Sequence, residues 1–300
     1  MRKIKITDHE ADQRLDRFLR KYLTRSSLGN IQKLIRKKVV RINDRRAEAA
    51  QVLRCGDVLT LRLSSETLET LQDSSAQKEE AQVQSHPLSI IFEDEELLVV
   101  HKPVGLLTHP AAAKQEDSLT TRVTSYLASY TSSIFTPACV NRLDRNTEGL
   151  VMFGKTPTML RELNQAMRER RIHKFYYAVV EGAVPAPGAV RAYQKKDARS
   201  NRSVLVSAQA SGARFVHTRY WPVEQKGGYT LCEVELCTGR THQIRLACAH
   251  MGHPLVGDCK YGASPHKGFP YLLQARRITM DGREFIDTHG DLLRAWRHLS

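Results

Sequence analysis

Long apolar runs are missing from this chain. No stretch of its 300 residues approaches the ~18–20 apolar positions that a membrane helix needs. The opening Met1-Arg2-Lys3-Ile4-Lys5-Ile6 is charged and carries no apolar core, so no secretory leader is expected. Cysteine is sparse: six residues at 55, 139, 232, 237, 248 and 259, none in a CxxC pair. Reduced thiols in the cytosol are the expectation. No internal repeat is found. Acidic residues are outnumbered, 32 Asp+Glu against 46 Lys+Arg, for a formal net charge of +14. A pI near 9.6 favours an acidic partner, of which nucleic acid is the commonest. With 41% hydrophobic and 26% charged residues, the composition is globular and excludes wholesale disorder and collagen-like structure.

The excess charge is concentrated. Residues 1–60 hold 16 Lys+Arg against 7 Asp+Glu. Within residues 1–64, Leu15, Phe18, Leu19 and Tyr22 recur at helical spacing, and Leu28, Ile31, Leu34 and Ile35 repeat the pattern. Ser26 or Ser27 is the candidate N-cap of the second helix. Its other face carries Lys33, Arg36, Lys37 and Lys38. Val39-Val40-Arg41-Ile42-Asn43 and Val58 to Leu63 read as strands, with turns at Asn43-Asp44 and Gly56-Asp57. Cations thus gather where a helix end and a strand converge, an arrangement suited to phosphate.

Residues 65–86 are polar, acidic and poor in aromatics, and read as a linker with weak helical tendency. Residues 87–300 read as one larger domain. Ile90 to Phe92, Leu97 to Val100, Leu150 to Phe153, Phe175 to Val180, Val204 to Val206, Arg214 to Trp221 and Leu231 to Leu236 are expected strands. Helices are expected after Ser118 and after Thr156-Pro157. Strands outnumber helices and most connections are short, which predicts an α+β fold with a mainly antiparallel sheet.

Four segments carry candidate chemistry. His101 to Pro110 follows a strand and brings Lys102 and His109 into a Pro/Gly loop; alone it is equally a plain turn. In Arg142-Leu143-Asp144-Arg145 an aspartate lies between two arginines, which favour the ionised carboxylate of a nucleophile or base; taken alone, such a motif is more often a structural salt bridge. In His173 to Val180, alternation points Tyr176 and Tyr177 to opposite faces. In Leu236 to Leu246 a strand ends near Gly239 and a helix begins near Thr241. Its N-terminus, with Arg240, His242 and Arg245, is suited to phosphate or carboxylate.

Two resemblances follow. Arg14 to Leu19, the second helix, Val39 to Asn43 and Gly56-Asp57 resemble the alpha-L RNA-binding module over about residues 12–63. Lys38 stands where that module usually has glycine. Asn141 to Leu150, Lys174-x-Tyr176-x-Ala178 and Thr238 to Arg245 resemble the RluA-like pseudouridine synthases, in order, over about residues 88–280. Asn141, Glu148, Ala247 and Gln274 depart from the family's usual residues, and Glu148 is expected to add negative charge on the RNA side.

The resemblance implies uridine-to-pseudouridine isomerisation without cofactor or metal, on large-subunit ribosomal RNA, with transfer RNA as the alternative. It implies Asp144 acting at the ribose, Arg245 pairing with Asp144, and Tyr176 against the uracil. Arg142 would fill the space left by the flipped base, with Lys174, Arg240, His242 and Leu246 also at the substrate. Arg14, Lys33, Arg36, Lys37, Lys38 and Arg41 would be the module's RNA contacts. The expected state is a cytoplasmic monomer with no membrane association and no obligate protein partner. The basic segment 191–202 reads as a hairpin loop that touches RNA. Two rival readings remain at this point. One is a metal-dependent hydrolase built on Cys232, Cys237, His242, Cys248, His250, His253 and Cys259, although no recognised zinc spacing is present. The other is an inactive RNA-binding relative, which intact Asp144, Tyr176 and Arg245 disfavour.

Overall fold

The computed structural model describes residues 1–7, 10–72, 87–110, 117–132, 135–197 and 202–299. The chain divides into two units: Met1–His86 with Val123–Ala138 and Lys155–Met159, and Pro87–Arg122 with Cys139–Gly154 and Leu160–Ser300.

The N-terminal residues fold around the two amphipathic stripes. Strand β1 (Arg2–Lys5) precedes helices α1 (Leu15–Tyr22) and α2 (Leu28–Arg36), followed by β2 (Val40–Ile42), β3 (Arg45–Arg46) and β4 (Val58–Leu61). The four strands form a sheet in the order β1-β4-β2-β3. Leu15, Phe18, Leu19 and Tyr22 are buried, as are Ile31 and Ile35. Leu28 is exposed, so the apolar stripe of α2 is narrower than its spacing predicts. Ser27 Oγ accepts from the Asn30 amide and caps α2. Asn43 and Asp44 both have positive φ (49° and 59°) and close the β2–β3 hairpin, the geometry that Asn and Asp tolerate best. Lys38 also lies at positive φ, 60°. The left-handed turn that glycine normally makes is therefore kept, and the lysine takes the strain.

One boundary moves. Helix α3 (Ser65–Leu71) occupies the start of the expected linker. Ser64 Oγ accepts from the Thr67 amide, Leu68 is buried in the N-terminal core, and Leu71 packs against it. The Arg25 amide donates to Leu71 O at 3.1 Å. Two leucines three apart behind a serine cap are enough to dock a short helix, and the surrounding acids hide that signal. The remainder of the expected linker, 73–86, lies outside the described residues.

The second unit is built on an eleven-stranded sheet. Its elements are β5 (Ser89–Glu93), β6 (Leu97–Lys102), β7 (Ala138–Cys139), β8 (Glu148–Gly154), β9 (Ile172–Glu181), β10 (Gly188–Asp197), β11 (Arg202–Val206), β12 (Arg214–Lys226), β13 (Tyr229–Leu236), β14 (Leu273–Met280) and β15 (Arg283–Ile286). In chain order, helices α4 (Leu119–Tyr126) and α5 (Pro157–Glu169), whose residues 123–126 and 157–159 count with the first unit, and α6 (Gln243–His250) and α7 (Leu292–His298) lie between and after these strands. The main order is β11-β10-β12-β13-β9-β14-β8-β6-β5, with β15 on β14 and β7 on β8. The fold is α+β and mainly antiparallel. Among the pairings of named strands in this sheet, β8 with β14 is parallel. The approach there is close: a Cβ on Gly149 (φ +116°) would sit 2.3 Å from Ala275 O, so only glycine fits. Ser118 and Thr156 accept from the Thr121 and Met159 amides at the starts of α4 and α5. The basic segment expected as a loop is largely strand, in β10 and β11; its residues 198–201 lie outside the described residues. Among the described residues no helix is long and apolar enough to cross a membrane.

Three of the residues that depart from the family have structural roles. Asn141 donates to Leu150 O and accepts from the Met152 amide, stitching its loop to β8. Glu148, expected to add negative charge on the RNA side, points into the fold instead. It is buried and accepts from the Asp291 and Leu292 amides at 3.0 and 2.8 Å, capping α7. A helix start leaves amides without partners, and this carboxylate supplies them. Burial pushes its pKa up, with the two amides pulling the other way. Gln274, its parallel partner across β8–β14, donates to Asp287, which also meets His101 Nδ1 at 2.9 Å. Glu148→Ala is expected to remove about 1–3 kcal/mol of local anchoring, measured as faster amide hydrogen exchange across residues 292–298.

Candidate active site

The site begins with backbone register. Lys102, the last residue of β6, pairs with Gly149 of β8. The loop leaving β6 therefore lies beside the loop entering β8, and the two are stapled together. Lys102 is fully buried, and Nζ donates to Pro103 O, Leu106 O and Arg145 O at 2.9, 2.8 and 3.0 Å. Burial lowers its pKa to about 8, against the pull of Asp144 and Glu148. Thr108 Oγ1 donates to Leu143 O and accepts from the Leu143 amide. The Gly105 amide donates to Arg145 O, and Arg145 Nε donates back to Gly105 O. Both chain neighbours of Asp144 are thus clamped, and the carboxylate projects from a fixed backbone.

Asp144 lines an open pocket of ≈ 360 Å³ with Tyr176, His242 and Arg245. Its side chain keeps 26% exposure, so water or a substrate reaches it. His242 closes on it: Nε2 lies 3.9 Å from Asp144 Oδ2, beyond hydrogen-bond length. His242 sits in the left-handed region (φ 55°) immediately before α6. Burial lowers its pKa, with the Asp144 carboxylate opposing. Gln243 holds this turn, accepting from Thr238 Oγ1 and the Arg240 amide while donating to His217 O and Thr218 Oγ1. Tyr176 on β9 is buried. Burial and, secondarily, the Asp144 charge push its pKa up, so it presents a neutral phenol.

Arg245 does not pair with Asp144 as expected. Its Nε and Nη2 both donate to Asp258, each at 2.7 Å. The guanidinium also lies over the Tyr271 and Tyr261 rings, at 4.4 and 5.0 Å from their centroids. Arg245 and Asp258 are both almost wholly buried, and a buried guanidinium takes the partner that fills its fork in two parallel bonds. Arg245 thus forms a wall of the pocket while Asp144 stays open.

The RNA pseudouridylate synthase family matches residues 96–250, more than half of the chain. An uncharacterised RNA pseudouridine synthase of Aquifex aeolicus is 31% identical over 258 residues, covering 84% of this chain and 77% of that protein. This chain belongs to the RNA pseudouridine synthases. A Vibrio cholerae protein named ribosomal large subunit pseudouridine synthase C is 30% identical over 261 residues, covering 86% and 80%. The solved structure of human RNA pseudouridylate synthase domain containing 1 shares the fold, with a TM-score of 0.57 at 20% identity, covering 70% of this chain and 86% of that one. The enzyme is an isomerase of the RluA-like family that acts on RNA.

The other expected residues of the synthase separate into groups. Arg142 and Arg240 are exposed and line the Asp144 pocket together with a contiguous one of ≈ 830 Å³. Lys174 lines that larger pocket; it is buried, which lowers its pKa. Leu246, half-buried on the first turn of α6, is not among the residues lining either pocket. In the N-terminal unit, Lys33, Arg36, Lys37 and Lys38 are exposed. Arg14 makes a two-point contact with Asp16, and Arg41 donates to Asp44 O. Sequence reading did not single out Tyr271 or Thr147, joined by their hydroxyls at 3.2 Å. Burial and then Asp144 push the Tyr271 phenol up to about 12. No sequence pattern marks Asp258 and Tyr261 as partners of Arg245. Among the described residues, no three His, Cys, Asp or Glu side chains are grouped to hold a metal ion.

Proposed function

We propose that this synthase isomerises uridines of large-subunit ribosomal RNA, with Asp144 as the group acting at the ribose. The observation that carries the reading is the part-exposed Asp144 carboxylate, held on a clamped backbone in one pocket with the buried Tyr176 phenol and the His242 imidazole. Isomerisation breaks the bond from C1′ to N1 of uracil and joins C1′ to C5. The C5 proton is lost and N1 gains one, so redox balance is unchanged. A carboxylate at C1′ serves either as nucleophile or by assisting loss of a ribose proton. Glycoside cleavage uses a carboxylate against the same kind of oxocarbenium-like centre. Tyr176, held neutral, contributes its ring face to the uracil.

The uridine must leave its stack, which costs a few kcal/mol; exposed Arg142 at the pocket mouth fills the vacated space. The exposed cation cluster Lys33, Arg36, Lys37 and Lys38 supports reading the N-terminal unit as an RNA-binding module, whose binding would offset the flipping cost. Relatives named for the ribosomal large subunit favour that target over transfer RNA. Six cysteines with no CxxC pair fit the cytosol. Mapping pseudouridines in RNA from cells with and without the protein tests the target. Loss of specific large-subunit positions is expected; loss confined to transfer RNA overturns the assignment.

A further inference from the structure

The β10–β11 hairpin and its neighbour β12 have two unlike faces. On the inner face Val190, Gln194, Ser203 and Val216 are buried. Gln194 Nε2 and Ser203 Oγ both donate to Thr241 O, at 3.0 and 2.7 Å. This face therefore holds the turn that carries His242. The outer face is open. Tyr193 and Phe215 are direct cross-strand partners, 36% and 42% exposed, with ring centroids 5.6 Å apart at 64°. Val204, 36% exposed, lies opposite Lys195. Strand alternation puts Arg191, Tyr193 and Lys195 on this one face, and Arg202 with Val204. Asp197, opposite Arg202, is the carboxylate of β10 on the same face.

Exposed rings cost solvation free energy unless a partner covers them, and here they are flanked by exposed Arg191, Lys195 and Arg202. A protein partner would have to bury that charge. Unpaired RNA matches both features, since each base offers a π-face to a ring while its phosphate takes a cation. We propose that the outer face of β10–β11–β12 is a stacking platform for single-stranded RNA, with Tyr193 and Phe215 facing bases and Arg191, Lys195 and Arg202 facing phosphates. The platform rests on the enzyme's action on RNA but not on the role given to Asp144. Because the inner face of the same hairpin holds Thr241, RNA on the platform also braces the turn before His242.

The test uses the full chain and a fluorescein-labelled dodecauridylate. Tyr193→Ala/Phe215→Ala is expected to bind it about tenfold or more weakly, as loss of base stacking predicts, with the slope of log Kd against log salt unchanged. Arg191→Gln/Lys195→Gln is expected to lower that slope by about 1.4, two single-strand phosphate contacts. A fully paired duplex RNA of equal length should bind the wild type and the double alanine variant alike. Tyr193→Thr alone should show a smaller loss in the same sense and serves if the double variant unfolds. Wild-type affinity in both aromatic variants overturns the platform. So does equal weakening on paired and unpaired RNA, or a changed oligomeric state with RNA binding intact. Asp144→Asn should bind this probe normally, so failure of the platform and failure of the aspartate assignment read out separately.

Discussion

Asp258→Ala is expected to destabilise the catalytic unit by about 3–5 kcal/mol, because it leaves the buried Arg245 guanidinium without its counter-charge. Asp258 is 2% and Arg245 6% exposed, so water cannot take the lost partner's place. Both bonds of the fork are lost at once. Over a unit of about 200 residues, this corresponds to a drop in Tm of about 6–20 °C. Thermal and urea denaturation measure it, with an unchanged m-value expected. Activity should fall as well, since a freed Arg245 can swing toward Asp144 and close the pocket. The double variant Asp258→Leu/Arg245→Met should recover much of the stability, because the desolvation cost leaves with both charges, yet it should stay poorly active. The surface pair Arg294–Asp291 is 78% and 72% exposed, and its removal should change stability little. A stability loss in Asp258→Ala no larger than for that surface pair would mean the buried clamp does not hold the site.

The legible parts of this protein were those whose signal is local. Helices α1 and α2 show as apolar stripes because one face of each meets a single core. Strands β8 and β9 show as apolar runs because both flanks are covered. The family segments carried Asp144, Tyr176 and Arg245 into one pocket. What escaped depends on pairing across the chain. Strand β14 reads Leu-Gln-Ala-Arg-Arg-Ile-Thr-Met, in which buried Gln274 and a bulge before Arg277 break the alternation. Glu148 reads as surface charge because nothing nearby in sequence shows that α7, more than a hundred residues later, starts against it. The partner of Arg245 was misassigned for the same reason. Two carboxylates lie within its reach in the fold, and only geometry shows which one fills the guanidinium fork. Lys38 is the converse case: its departure from glycine was visible, and the backbone kept the turn.

The central claim is that the Asp144 carboxylate does the chemistry. Asp144→Asn should leave the fold intact, because His242 at 3.9 Å is too far to be a structural hydrogen bond, and RNA affinity should stay within about twofold. Removing the group that attacks or assists at the ribose should slow the reaction by about a thousandfold or more. Uridine and pseudouridine have the same mass, so chromatographic separation of nucleosides after complete digestion of the reacted RNA is the decisive measurement. The account predicts a pseudouridine peak with the wild type and none above background with Asp144→Asn at equal bound RNA. A peak forming at the wild-type rate with the variant would contradict it.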